Sequence, residues 1–513
     1  MENLTAGKPK AEAPVPTVQI GVNRPELPLT DLPTPEEVFN KPKIGGKELI
    51  TCVLGPSMIA LALSIGSGEW LLGPLAFGRF GFMGLGWLIT ISAALQTFYN
   101  VEIGRYTLAT GEVPIVGFTR TPPGLKFWIF VTLIVIFMSN LWGGWASAAG
   151  QSLFTLFTGR QLNIKSPKEL ETVRMIAIGL MVLSVGIYLI GRKISRTLEI
   201  IDSFMIFFIL GTLVILAAIF VPGNLWTTVL ASAVTPGAPP KGIDATLLGS
   251  IIGYTGCMSG LNFILINYYR DHGYGMGSKI GFFSGVIGGQ KQDVLPSGVT
   301  FPESEKNARL WNRWFRYLAI DQWSVFFIGA MIGMFIPSAL CVALTKLPGA
   351  GVPTIANMPV YVATEMSKIS SFFFPFILLL GALILFKSQF SALEFLIRNT
   401  TDATNTVSPR LRAWTAGDPR KAYYSLAVVF IIVIGVLIHL ALPTELLQIS
   451  ANMANLASLI FPFVMIYLNA KLPRPARGRW WSTVVLLANV VFFGFFFVNF
   501  ISLKMIGQPL VRF

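Results

Sequence analysis

The sequence predicts an all-α integral membrane protein of about eleven transmembrane helices, and three observations carry that prediction. Only 12% of the 513 residues are charged and 53% are hydrophobic, whereas a soluble domain carries about 25% charged residues. Mean hydropathy is +0.65. Apolar runs of about 20 residues, long enough to cross a bilayer core, recur along the chain, and Lys and Arg concentrate in alternate connecting segments.

The spans fall near 50–76, 81–104, 126–150, 173–190, 197–221, 244–268, 320–344, 371–397, 422–441, 445–469 and 480–503. With the N-terminus inside, 28 of the 39 Lys and Arg lie in inside segments and 10 outside, with Lys387 within the eighth span. The expected topology is N-terminus cytoplasmic and C-terminus outside, in a bacterial-type plasma membrane. The net charge of +14 is then mostly loop charge facing membrane lipid, and no nucleic-acid partner is needed. Three scattered cysteines, Cys52, Cys257 and Cys341, form neither a disulfide framework nor a zinc site. Oligomeric state is not legible.

Residues 1–46 are rich in Pro, Glu and Lys and lack an apolar segment. They read as a disordered cytoplasmic tail rather than a signal peptide. The long inside segment near 270–318 has two parts. DHGYGMGSKIGFFSGVIGGQ is glycine-rich, and FPESEKNARLWNRWFRYLAI reads as an amphipathic helix on the inner membrane surface. A gating element is the alternative for that helix.

Two spans carry breaks. In the first, Ile65-Gly66-Ser67-Gly68-Glu69 interrupts an apolar helix; in the sixth, Gly253-Tyr254-Thr255-Gly256-Cys257-Met258-Ser259-Gly260 does. Each interior glycine costs about 1 kcal/mol relative to alanine, so neither span reads as a continuous helix. Small residues can also serve close helix packing. Here both clusters bring polar side chains, and five spans separate their starts. Paired breaks at equivalent positions of two halves point to an inverted-repeat transporter with its substrate site at the breaks. Candidate binding residues are Gly66, Ser67, Gly68, Glu69, Thr255, Gly256, Cys257, Met258 and Ser259.

Gly55-Pro56 through Glu69, Gln96 followed by Gly104-Arg105 and Thr110-Gly111, and the sixth-span break together make a pattern that resembles the Nramp family of divalent-metal transporters. The resemblance implies a leucine-transporter-like fold: an inverted repeat of five helices plus five, with one added helix. It implies repeats at 47–221 and 222–470, with 471–513 holding the eleventh helix. The family's Asp-Pro-Gly-Asn falls on Gly66, Ser67, Gly68 and Glu69, so its metal-binding Asp and Asn are replaced. Its Met-Pro-His falls on Cys257, Met258 and Ser259. Metal transport is the function the resemblance implies, with Glu69, Cys257 and Met258 as the ligand candidates. The altered motif leaves a second reading open, a proton- or sodium-coupled carrier of a small organic solute such as an amino acid or amine.

Ionisable groups inside spans are functional candidates by default. Glu69 is the first, as coupling group or ligand. Lys387 is the second, beside Ser388 and Gln389. The implied fold packs the eighth span on the first, where a lysine can stand in for a coupling sodium ion; a lysine snorkelling to the interface is the alternative. Glu394 reads as a local ion-pair partner, Glu102 and Arg105 as a pair three residues apart, and Asp202 as a group at the membrane edge. His439 reads as an interfacial histidine or a proton relay. Asn262 and Asn267 are candidates to satisfy backbone freed by the break. No Walker A loop, potassium filter or His/Asp/Glu constellation occurs. The chain is expected to be neither an enzyme nor dependent on a cofactor.

Overall fold

In a computed structural model the chain is described for residues 17–18, 27–48, 65–66, 68–189, 194–256, 260–280, 298–345, 358–415 and 420–513. Helices dominate; a pair of two-residue strands, Thr17–Val18 and Leu27–Pro28, joins antiparallel near the N-terminus.

Each expected span has a helical counterpart. The described part of the first is a π-helical turn, Gly68–Leu72, running into Gly73–Phe80. The second is Gly86–Thr110. The third is bent: Leu125–Asn140 and Gly144–Thr158 meet at Gly143, whose φ of +64° only glycine adopts readily. The fourth and fifth are Pro167–Tyr188 and Ile194–Phe220. The sixth is split into Ala245–Gly253 and Asn262–Asp271. The seventh is Ile328–Thr345, entered through a π-helical segment, Gln322–Phe327. The eighth to eleventh are Phe373–Val407, Arg420–Leu437, Pro443–Ala470 and Trp480–Ile506. Among the described residues eight helices are long and apolar enough to cross a membrane on their own. The first, second and sixth spans fall outside that set, the sixth because its break leaves only short halves.

Burial separates core from periphery. The most apolar stretch of the eighth span is 78% buried and that of the tenth 67%, whereas those of the fourth and ninth are 22% and 28% buried. The tenth and eighth are therefore surrounded by protein, and the outer helices turn side chains such as Phe204, Phe207, Ile219 and Val436 outward, as lipid-facing helices do.

Two expectations about segments outside the spans are corrected. The segment within 1–46 expected to be disordered is partly folded. Thr30 N–H donates to the Thr300 carbonyl at 2.9 Å, Trp314 Nε1 donates to the Pro33 carbonyl at 2.9 Å, and Thr34 caps a short helix, Pro35–Phe39. Phe39 meets Tyr274 edge-on at 5.4 Å, and Leu32 is buried. A few well-placed apolar side chains suffice to hold a segment whose average composition is polar. The second correction concerns the amphipathic helix, Glu305–Asp321. It exists, but its Trp311, Trp314 and Leu318 are buried. Gly104 of the second span lets Leu318 pack against its backbone, and Arg105 lies 4.3 Å over the Phe315 ring. The helical run from Glu305 through Leu344 is 40 residues long, roughly 60 Å at 1.5 Å per residue. That exceeds a hydrocarbon core of about 30 Å. The apolar face packs on protein and the helix leads into the seventh span, rather than lying on lipid.

Candidate functional site

The site begins with backbone freed from helical hydrogen bonding. At the first break the Gly66 carbonyl accepts from Trp70 N–H at 2.9 Å, an α-type bond that overlaps the head of the π-helical turn. Glu69 folds back so that its Oε2 accepts from Gly66 N–H at 2.8 Å. One carboxylate oxygen thus caps the half-helix that carries it. The other, Oε1, is buried and has no hydrogen-bond partner among the described residues. The Ile65 carbonyl accepts from Lys387 Nζ at 3.0 Å. Lys387 is fully buried, which removes the snorkelling alternative: its ammonium lies at the break, not at the interface.

The neighbours of Lys387 are there too. A methyl group on Gly66 would collide with the Ser388 hydroxyl, so glycine is required for the eighth span to approach. Gln389 Oε1 accepts from Ala146 N–H at 3.2 Å, holding the start of Gly144–Thr158, while its Nε2 has no partner among the described residues. On the seventh span, a Cβ at Gly333 would sit 2.7 Å from Ile65 and 3.5 Å from Glu69 Cγ. Glycine there keeps this wall of the site thin.

The two breaks touch. A Cβ on Gly68 would lie 2.8 Å from both the Cβ and the carbonyl oxygen of Tyr254. Tyr254 stacks on Trp145, ring centroids 5.4 Å apart and planes within 19°. The sixth span unwinds after Gly253, and Gly256 takes φ +102° and Gly260 φ +81°. Carbonyls at the break and in the half-helix before it accept from side chains on neighbouring spans. Ser92 Oγ donates to the Ile252 carbonyl at 2.9 Å, and Gln96 Nε2 donates to the Thr255 carbonyl. Asn452 donates to Thr246 O at 3.0 Å and Ser250 Oγ at 2.7 Å. Asn455 donates to Gly249 O at 3.1 Å. Thr255 Oγ1 bonds back to the Ile251 carbonyl at 2.6 Å.

Of the candidate residues, Gly66, Gly68, Glu69, Thr255 and Gly256 therefore lie at the paired breaks, with Lys387, Ser388 and Gln389 against the first. Ser67, Cys257, Met258 and Ser259 lie outside the described residues, as does the Asp202 side chain. Among the described residues Asn262 donates to Asn100 Oδ1 at 2.7 Å, and Asn267 has no partner. Among the described residues, Ser92 and Gln96 satisfy carbonyls at the break, and Asn452 and Asn455 hold the half-helix before it. Among the described residues no group of three or more His, Cys, Asp or Glu side chains suited to a metal ion comes together.

Other charged groups are paired. Glu102 and Arg105 form a two-pronged ion pair, 2.9 and 3.0 Å. Glu394 pairs with Arg398, which also pairs with Asp271 of the sixth span; Arg270 bridges Asp271 at 3.0 Å and Asp402 at 3.6 Å. This buried cluster ties the second half of the sixth span to the eighth. His439 is held by the Gly435 carbonyl at 2.8 Å and by Glu171 at 3.3 Å. Beyond the spans, burial pushes the Glu112 carboxyl up, but the Arg120 guanidinium, Gly298 N–H and the Tyr106 hydroxyl outweigh it and hold it below the usual range.

No protein-family model matches the chain, and no curated protein matches it. Solved structures do. A mutant of the manganese transporter of Eremococcus coleocola superposes with a TM-score of 0.58 at 14% identity, covering 93% of this chain and 90% of that one. The same transporter in complex with an aromatic bis-isothiourea substituted compound gives 0.56 at 14% identity, over 89% and 87%. At this identity the likeness concerns the fold. The chain is an all-α integral membrane protein with the leucine-transporter-like architecture, and its structural neighbours are transporters, not enzymes.

Proposed function

We propose that the chain carries a small cargo across the membrane by alternating access, with the cargo held where the first and sixth spans break. The observation that carries this reading is the convergence at one place of two helix breaks, a half-satisfied buried carboxylate on Glu69 and a buried ammonium on Lys387. Unwound backbone at bilayer depth is tolerated where it lines a cavity or is enclosed by protein, and helix ends there present partial charges of both signs. The proposed repeats are 47–221 and 222–470, followed by 471–513, with the N-terminus cytoplasmic and the C-terminus outside.

The cargo that the geometry supports best is a small organic solute without net charge, such as an amino acid. Glu69 and Lys387 bring one charge of each sign. A zwitterion leaves that balance undisturbed, its ammonium meeting Glu69 Oε1 and its carboxylate meeting half-helix N–H groups. The stacked Trp145 and Tyr254 rings offer an apolar wall. Lys387 supplies a fixed cation beside the first break, which favours a proton over sodium as the coupling ion.

A metal ion is the second reading. It is favoured by the fold shared with manganese transporters and by the sulfur ligands Cys257 and Met258, which suit softer transition metals. A dication there would meet one carboxylate and a neighbouring ammonium, a poor balance of charge. Purified protein in liposomes, offered Mn²⁺, Mg²⁺, Ca²⁺ and a panel of amino acids and amines under a proton gradient, separates the two. Amino-acid uptake without divalent flux supports the first reading, and saturable Mn²⁺ uptake replaces it with the second.

A further inference from the structure

Where the tenth span ends and the eleventh begins, the chain reads Lys471-Leu-Pro-Arg474-Pro-Ala-Arg477-Gly-Arg479, four cations in nine residues, followed directly by Trp480 and Trp481. Trp480 is 79% exposed. A cavity of about 370 Å³ opens beside this turn, lined by Lys471, Arg477, Leu472, Leu29, Phe301 and Glu303 among others. We propose that this cavity binds the phosphate headgroup of an anionic phospholipid drawn from the adjoining leaflet.

Its charge is positive by construction. Glu303 is engaged by Arg474, accepting from its backbone N–H at 2.9 Å and pairing with its side chain at 3.6 Å. Lys471 and Arg477 form no ion pair among the described residues. Lys471 rests 5.5 Å over the Tyr467 ring, and Arg477 Nε touches the Leu472 carbonyl at 3.4 Å. Both side chains retain donors for a phosphate. The position fits a lipid: the turn joins the ends of two spans, so it lies at headgroup depth, and exposed tryptophans mark that interface. Basic pockets between spans recognise anionic headgroups in this way. Leu472 and Phe301, both buried, add apolar surface to the lining beside its charged groups.

The site also reaches the N-terminal segment. Leu29 lines the cavity and bridges to Thr300 in a parallel register. A bound lipid would therefore brace the folded segment 29–40 against the turn at 471–479.

The test is lipid retention by the full chain, measured by native mass spectrometry after exchange into vesicles of phosphatidylcholine with or without phosphatidylglycerol. Wild type should retain phosphatidylglycerol and gain thermal stability from it. Each basic residue near an anionic surface is worth roughly a fivefold factor in binding, so Lys471→Gln with Arg477→Gln should weaken retention about twenty-fivefold. Lys471→Arg with Arg477→Lys should keep it. The exposed pair Lys165→Gln with Lys168→Gln, elsewhere on the molecule, should leave it unchanged. Equal retention by the first double variant, or an equal loss in the Lys165/Lys168 control, overturns the site. Inorganic phosphate that stabilises wild type as well as phosphatidylglycerol does, or that displaces the lipid, would make the occupant a soluble phosphate and overturn the lipid assignment. Wild type alone decides that arm should a variant fail to fold.

Discussion

At the first-span break the groups that meet unwound backbone are charged: Glu69 takes the Gly66 N–H and Lys387 takes the Ile65 carbonyl. At the sixth-span break they are neutral: Ser92 and Gln96 hold the carbonyls of Ile252 and Thr255, and Asn452 and Asn455 brace the half-helix before it at Thr246 and Gly249. The two breaks solve one problem, freed backbone at bilayer depth, with different chemistry. Amides and hydroxyls keep their charge state through a cycle; a carboxylate and an ammonium can exchange protons. On the proposed function, the first break is where coupling enters and the sixth is a fixed frame that shapes the site.

That contrast can be broken by substitution. Glu69→Gln keeps an acceptor for Gly66 N–H and removes the charge. A charge-assisted hydrogen bond is worth up to about 3 kcal/mol, so uptake in liposomes should fall on the order of a hundredfold while thermal unfolding stays near wild type. Wild-type uptake would take Glu69 out of the mechanism. Lys387→Met removes the ammonium and its bond to Ile65. Uptake should fall roughly tenfold and lose its dependence on pH; an unchanged pH profile would confine Lys387 to packing.

The neutral break should answer on stability first. Gln96→Ala leaves the Thr255 carbonyl buried without its donor, a loss of about 1–3 kcal/mol readable as a lower unfolding midpoint in detergent. A midpoint equal to wild type would mean the sixth break is not held from the second span. The smallest effect is expected at the N-terminal segment. The Asn307 side chain and Lys306 hold the Asp31 carboxyl below its ordinary value of 3.8. A lowered folded value means the contact contributes fully above the unfolded value and is lost as pH falls through the folded one. Asp31 is half exposed, so the contribution is under about 1 kcal/mol. Protection factors in residues 29–40, exchange rates corrected for their intrinsic pH dependence, should fall as pH drops below that range, and constant protection would place the segment's stability in Phe39 and Leu32 alone.

The spans, both breaks and the buried charges at Glu69 and Lys387 were legible because each is a local signal: a run of apolar residues, a cluster of glycines, a charge where lipid is expected. What supports them was not. Gln96 reads as one polar residue in an apolar helix until the sixth span is laid beside it, and Asn452 and Asn455 mark only a polar tenth span. The cluster of Arg270, Asp271, Glu394, Arg398 and Asp402 joins residues up to about 130 positions apart, and no spacing rule links them. The segment at 29–40 was hidden by composition: its average is polar, but Leu32 is buried and Phe39 packs on Trp314 and Tyr274. The amphipathic helix was recognised by its pattern, yet an apolar face fits protein as well as lipid, and Gly104 decided for protein.

The central claim, a cargo site at the first break working by alternating access, is tested most directly by charge displacement on a solid-supported membrane. Wild type and Glu69→Gln would be challenged in parallel with amino acids, amines, Mn²⁺ and Mg²⁺. The account predicts a transient, saturable current with at least one cargo in wild type and none in Glu69→Gln. A sustained channel-like current in wild type, or the same transient in both proteins, would contradict it.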